Sequence, residues 1–578
     1  MRIEYTQSAD LSATFLLMIS ISRGTMLNKN TPQKISRPDF IRLSALVGCG
    51  TLLAACAPQT VVKVITTTPG PVVPTATSGP VVPGATPVPT VVPIPSAAKL
   101  GGVLVAARTT DTSSLDPHTT PLLVNRQTCS LLYNQLAMVD SKLRVQPVLA
   151  ESWDMPDPTA IVFNLRQGVK WHDGTNFTSA DVVHTFQRNM DEATGSWLIG
   201  KLALVKAIEP MGDYKVKVTL QEPNSSFLPA MWQLLIIPAS VANKPKDWLS
   251  NNAIGTGPWM LKDWKPDSKL SLVKNPNYWK PGLPYMDGVD IVIIPDETSV
   301  IAALRTGEVQ HAQILDKTSM PLLRTSPDLV VYQTPSMGTN FINLQFRKEA
   351  IKDIRVRQAM SLATDRKAIL DAAGGGLGVI SGVLPPSMAD YWVPPEELAN
   401  YKYDPEKAKA LVKDYGKPLD IDIITIAANK LMTITAELLA DQWKQVGMTT
   451  RVVGQDVNVW VDARIKTFDY TVSTNLDFAG SDPDDILFDS FHSKGAYSDW
   501  GGFTDPELDK LIDAGRRSTD MNQRATAYKS LQKLIDEKCY VLTTFAPLHV
   551  DITQTRVKNY EGHPSQNMYA FEKTWIES

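Results

Sequence analysis

Cysteine is scarce in this chain of 578 residues: only Cys49, Cys56, Cys129 and Cys539 occur. None forms a C-x-x-C pair, which excludes zinc ribbons and thioredoxin-type redox motifs. The widely separated Cys129 and Cys539 are expected to be buried thiols or a disulfide, and burial, which is what free cysteine usually does, favours the thiols. Histidine is equally sparse, with seven residues and no i, i+4 pair, so no H-E-x-x-H metal helix exists. There is no G-x-S-x-G elbow and no G-x-x-x-x-G-K-[ST] loop. Gly374-Gly375-Gly376-Leu377-Gly378 does not complete G-x-G-x-x-G, and it follows a predicted helix instead of a strand. Charge of one sign is also lacking. The formal net charge is −3 and no block of like charges occurs, which argues against nucleic acid, whose affinity comes from clustered Lys and Arg.

What is present begins with an address. Lys29, Lys34, Arg37 and Arg42 precede the small, apolar run Leu43 to Ala55. This is a charged region followed by an apolar stretch of signal-peptide length, too short to span a bilayer comfortably. It ends in Leu53-Ala54-Ala55-Cys56, which resembles the bacterial lipobox, where the signal is cut before a cysteine whose thiol carries diacylglycerol. Leu46-Val47-Gly48-Cys49 competes, but Cys56 leaves the longer apolar run. Ser36-Arg37-Pro38-Asp39-Phe40 resembles a twin-arginine signal in which Pro38 replaces the second arginine. Met26 is the expected start of the signal, and residues 1–56 are expected to be removed up to the cysteine. From Ala57 to Ala98 the chain is rich in Pro, Thr and Val, with ten prolines in 42 residues. Proline fixes φ and removes donors, so residues 57–98 are expected to stay out of helix and sheet as a semi-rigid spacer of about 3.1 Å per residue.

Residues 99–578 have the length of more than one domain, at roughly 100–200 residues each. Ile161, Phe163 and Leu165 alternate with Val162, Asn164 and Arg166, a half-buried strand. Val103–Val105, Lys215–Leu220 and Val289–Ile294 also predict strands. Helices are predicted over Asp353–Ala372, Asp404–Tyr415, Leu431–Val446 and Asp505–Gly515. Asp404-Pro405 and Asp505-Pro506 supply N-caps followed by proline at the first helical position. Strands mixed with helices over this length predict an α/β protein of two lobes.

A series of words along the chain resembles one family, the family 5 extracellular solute-binding proteins of ABC importers. They are Ser114-Leu115-Asp116-Pro117, Leu149-Ala150-Glu151-Ser152-Trp153, the run Phe163 to Val183 (FNLRQGVKWHDGTNFTSADVV), Gly255-Thr256-Gly257-Pro258-Trp259 and Asn275-Pro276-Asn277-Tyr278-Trp279. Arg305-Thr306-Gly307-Glu308-Val309, Ile354 to Ala359, Tyr403 to Ala408 and Asp482-Pro483-Asp484 complete the set. Most of these words carry a structural reading of their own. Gly255 and Gly257 are expected to adopt backbone angles that a side chain forbids. Asp173-Gly174 is a turn, His172 is a structural histidine in it, and Arg355 and Arg357 are solvated or ion-paired. Asp482-Pro483-Asp484-Asp485 reads as a solvated helix start, not a cation site.

The resemblance implies a two-lobed periplasmic-binding-protein fold of type II, similar to the large cluster C, with an extra subdomain in lobe I. Lobe I is expected at 99–332 plus 541–578 and lobe II at 333–540. The hinge is expected near Tyr332–Pro335 and Cys539–Thr543. It implies no catalysis, cofactor or metal. It also implies a monomer on the outer face of the cytoplasmic membrane, attached through lipid alone, that delivers a small solute to permease subunits and their ATPases. In peptide-binding members an aspartate holding the ligand ammonium stands four residues before the proline of the Asp-Pro word. Here that position is Ala479, which leaves Asp477 or Asp482 to substitute. A buried ammonium needs such a counter-charge. The candidate cleft residues are Asn340, Asn343, Trp460, Asp477 and Trp500, with the tryptophans as stacking surfaces for a sugar or an apolar side chain. A peptide is the leading ligand class and an oligosaccharide the alternative. Turnover by purified protein would point instead to a secreted hydrolase, and absence of saturable binding to a structural surface protein.

Overall fold

The structure is a computed structural model that describes residues 64–66, 100–314, 319–478 and 480–577. Cys56, Cys49, Met26 and most of the proline-rich segment lie outside the described residues. Two sheets organise the rest, one per lobe.

The larger sheet runs in the order Val64–Thr66, Leu329–Pro335, Phe545–Gln554, His311–Ile314, Val103–Arg108, Gly288–Ile293, Lys269–Lys274, Trp259–Lys265. The expectation that proline keeps residues 57–98 out of any sheet fails at Val64–Thr66, which pairs in parallel with Val331–Gln333. The stretch Val61 to Thr68 contains no proline, so its backbone donors are intact and it can join an edge. A separate four-stranded sheet forms the extra subdomain from Ala150–Asp157, Ala160–Leu165, Lys215–Leu220 and Val205–Pro210. Its core holds Ile161, Phe163 and Leu165, the inward half of the alternation read in the sequence, together with Trp171, Phe177 and Phe186.

The second sheet, in lobe II, runs Thr449–Gln455, Asp420–Ile426, Val472–Phe478, Gly338–Leu344, Val541–Thr543. Helices cover both faces. Lys430–Gln445, capped by Asn429, turns Met432, Ala436, Leu439 and Trp443 inward at spacings of three and four. Pro405–Tyr415 and Pro506–Arg517 begin on Asp404 and Asp505 caps, with proline at the first position. The helix expected over 353–372 is two helices, Ile354–Leu362 and Arg366–Ala373. Asp365 breaks it by accepting the Ala368 N–H as a new N-cap. The buried Arg366 guanidinium then gathers the carbonyls of Ser361, Tyr401 and Thr543.

The chain passes from the first sheet to the second between Pro335 and Gly338 and returns between Thr543 and Phe545. The segments expected at the hinge, near Tyr332–Pro335 and Cys539–Thr543, end at Pro335 and Thr543, where the two crossings begin. The strand Leu329–Pro335 keeps its antiparallel register with Leu548–Gln554 through Pro335 itself, because a proline can end a strand without breaking the ladder.

Candidate functional site: the contact between the lobes

The first crossing is tightly packed. Met337 is fully buried against Val139 and Trp232 of lobe I, and Ser387 Oγ of lobe II donates to the Ser336 carbonyl at 2.8 Å. Leu143 sits at the tip of the Ala137–Val139/Val145–Pro147 hairpin with φ +59°. Positive φ is uncommon for a branched residue. Asp140 holds the turn by accepting the N–H groups of Lys142 and Arg144. This conformation lets Leu143 pack both on the Met337 group and on the lobe II core beside Tyr391 and Met388.

Away from the hinge a polar seam joins the lobes. Lys201 of the extra subdomain meets Asp485 at 2.5 Å. Ser226 Oγ donates to Asp484 Oδ2 at 3.1 Å, and Ser225 N–H donates to the Arg516 carbonyl at 2.9 Å. Ser481 Oγ donates to the Pro229 carbonyl at 3.1 Å. The acidic word expected to be solvated is therefore buried: Asp482 and Asp484 are 3% and 4% exposed. The helix Asp484–Phe491 docks its first turn into this seam, where Lys201 and Arg516 supply counter-charge. Asp482 turns inward, where Arg524 Nη2 donates to both of its oxygens at 2.6 and 2.8 Å. Burial raises the Asp484 carboxyl to about 7 against the opposing pull of Arg516. Burial lowers the Lys201 ammonium, but Asp485 more than offsets this, and the net direction is up. The lobes also border an open cavity of about 600 Å³, lined from lobe I by Lys142, Leu143 and Arg144 and from lobe II by Met388, Tyr391 and Met521.

The residues singled out in the sequence separate into three places. Asn340 is fully buried on the strand leaving the hinge, and its Nδ2 donates to Thr544 Oγ1 at 2.8 Å and Thr435 Oγ1 at 3.2 Å. That is a strut between strand, helix and second crossing. Asn343 lines a pocket inside lobe II together with Trp500, which packs on Tyr497 at 4.5 Å between centroids. Trp460 is 7% exposed, packed with Ile424 and Met432 and covered by the Arg464 guanidinium at 4.5 Å. The backbone of Asp477 pairs with Thr339 at the hinge end of the second sheet. Lys201, Ser225, Ser226, Leu143 and Arg516 went unrecognised: the contacts of Lys201, Ser226 and Ser225 across the lobes span 284, 258 and 291 residues of sequence, and no local pattern signals any of the five.

The family words pack on one another. His172 accepts from Gly255 N–H at 3.1 Å through Nδ1 and meets the Gly257 carbonyl at 3.1 Å through Nε2; burial holds its pKa down at about 4. Gly255 and Gly257 are needed for a different reason from the one expected. Neither has positive φ, but a Cβ would stand 1.8 Å and 2.6 Å from the Leu132 carbonyl oxygen. Asn275 Nδ2 donates to the same Gly257 carbonyl. Asp116 binds Arg188 through both oxygens at 3.2 and 2.6 Å. Arg355 is ion-paired to Asp353 and Asp414 as expected, whereas Arg357 is buried on the carbonyls of Ile351, Lys352 and Lys538. Cys129 and Cys539 are buried free thiols.

The family model for bacterial extracellular solute-binding proteins, family 5 middle, matches residues 144–499. The chain belongs to this family. It is a substrate-binding protein of ABC importers, extracytoplasmic, working with permeases and ATPases, and not an enzyme. It is 29% identical over 77% of its length to 90% of the probable di/tripeptide-binding protein 5 of Pseudomonas aeruginosa. It is 28% identical over 75% of its length to 85% of heme-binding protein A of Haemophilus influenzae. The fold matches the ABC transporter substrate binding protein CtaP of Listeria monocytogenes with a TM-score of 0.75 at 24% identity, covering 83% of this chain and all of that one. Among the described residues no helix is long and apolar enough to cross a membrane.

Proposed function

We propose that this protein captures a short peptide between its lobes and is held at the membrane by lipid on Cys56, as a monomer. The observation that carries the peptide reading is the cavity of about 600 Å³ shared by both lobes, within the roughly 300–1,000 Å³ of small-ligand sites. Its walls combine apolar side chains with Lys142, Arg144, Asp390 and Lys529, which suits a ligand of mixed polarity. The di/tripeptide relative supports the same class. Trp460 is 7% exposed and packed with Ile424 and Met432, which disfavours it as a stacking surface for the sugar alternative.

Asp477 supplies the counter-charge for the peptide ammonium in this reading, since Ala479 cannot, and its backbone stands at the hinge end of the strand Val472–Phe478. Calorimetry of free and N-acetylated peptides on wild type and Asp477→Asn tests it. Truncating one partner of a buried charged hydrogen bond costs about 2–5 kcal/mol of binding. A loss of that size for free peptides alone supports Asp477. Equal affinity in both proteins removes it, and binding of oligosaccharides without any peptide removes the peptide reading. For the anchor, Cys56→Ser expressed in a lipoprotein-processing bacterium is expected to leave the detergent phase. Retained partitioning would redirect the assignment to Cys49.

A further inference from the structure

We propose that lobe II holds a small monovalent anion of halide size in an internal pocket formed by Arg464, Ser490 and Asn343, separate from the solute cleft. The pocket lies between the strand Gly338–Leu344 and the segment from Ser490 to Phe503, and its lining comes from lobe II alone. Arg464 and Ser490 are 9% and 8% exposed. Arg464 Nε, Ser490 Oγ and Asn343 Nδ2 each lack a hydrogen-bond partner, and all three residues line this one pocket.

The charge balance distinguishes an anion from trapped water. Among the described residues no carboxylate lies within ion-pair distance of Arg464. The acidic residues next in sequence to the lining residues Arg464, Tyr470 and Trp500, namely Asp462, Asp469 and Asp499, are paired with Lys466, Lys348 and Arg347. A buried guanidinium without counter-charge is strongly unfavourable. Water would satisfy the orphaned donors and leave that charge in place. An anion answers both. The guanidinium is also held in a fixed pose, stacked on Trp460 at 4.5 Å, and the Tyr470 ring completes the wall beside it. The free space is about 30 Å³, room for one or two water-sized groups. That admits a halide and leaves no room for a bulky organic acid. The rest of the wall is largely aromatic, and ring edges carry the positive end of the quadrupole.

The local backbone points the same way. Arg464 sits in a π-helical turn, Ala463–Thr467, closed by Phe468 at φ +55°. Such turns are rare and concentrate at functional sites. The strand carrying Asn343 is the one that leaves the hinge, so an occupied pocket braces the lobe II side of the moving joint.

The test uses the whole chain, exchanged into gluconate buffer free of halide. Sodium bromide titrated against sodium gluconate at constant ionic strength is expected to raise Tm saturably, by about 2 °C. Crystals grown with bromide are expected to show an anomalous peak between Arg464 Nε and Ser490 Oγ. Ser490→Ala, which leaves the guanidinium in place and is the mildest change, is expected to shift the bromide midpoint by about tenfold or more. Identical melting in bromide and gluconate, an anomalous map without a peak in the pocket, or a peak unaccompanied by the solution shift overturns the proposal. None of these outcomes depends on which solute the cleft takes.

Discussion

At the scale of single residues, two kinds of position carry the argument. The first is the glycine whose neighbour is backbone. Gly257→Ala would place a methyl against the Leu132 carbonyl group, at 2.5 Å from its carbon and 2.6 Å from its oxygen, and backbone cannot swing aside as a side chain can. A loss of about 1–3 kcal/mol is expected, read as a lower urea midpoint. An unchanged midpoint would mean that the strand end and the Leu132 turn are not in contact. The sequence pointed to these glycines but assigned them the wrong cause, because a close approach across 120 residues leaves no local mark. The second kind is the buried acid. Asp484 faces Arg516, Ser226 and Tyr528, with Asp482, Asp485, Asp489, Lys201 and Glu222 around it. Burial raises this carboxyl to about 7 in the seam, above the ordinary value near 4 of an exposed carboxyl, so it is expected to take up a proton when the lobes close over it. Its penalty on closure is absent below about pH 4, grows as pH rises, and is complete above about pH 7. Solute affinity of the wild type is therefore expected to fall between pH 5 and pH 7.5 by more than that of Asp484→Asn. Parallel profiles for the two proteins would show that this acid does not titrate on closure.

At the scale of elements, capping chemistry was the most legible feature. Asp404-Pro405 and Asp505-Pro506 start helices where the pattern put them, because an N-cap is a local bond between neighbours in sequence. The break at Asp365 was missed: the apolar period continues across it, and only the tertiary burial of Arg366 shows why the helix restarts. Strand existence was readable from alternation at Lys215–Leu220 and Ala160–Leu165, whereas sheet order was not, since both sheets join segments far apart in the chain. The same limit governs the site. Asn340 and Asn343 were legible as polar residues near a crossing, but the face each presents depends on strand register. Alternation sends Asn340 to the side of Lys430–Gln445 and Asn343 to the opposite side. Asn340→Ala is expected to strand the buried hydroxyls of Thr435 and Thr544 and to cost about 1–3 kcal/mol of stability. Solute affinity should stay within a few-fold of wild type. A loss of affinity with unchanged melting would return Asn340 to the cleft wall.

At the scale of the whole molecule, two lobes joined by two crossings can part with little change in either core, and the seam from Lys201 to Arg516 is what parting would break. Lys201→Met leaves Asp485 buried beside Asp482 and Asp484 without its cation, so the closed state loses more than one bond. Solute is expected to dissociate at least tenfold faster from this variant, with melting of the separate lobe cores little changed. Equal dissociation rates would show that the seam is not part of the closed complex. The most direct measurement of the central claim is small-angle scattering of the whole chain with and without a saturating peptide identified by calorimetry. Capture between closing lobes predicts a smaller radius of gyration when peptide is bound, and a smaller difference in Lys201→Met at the same fractional saturation. Saturable binding with an unchanged scattering profile would contradict it.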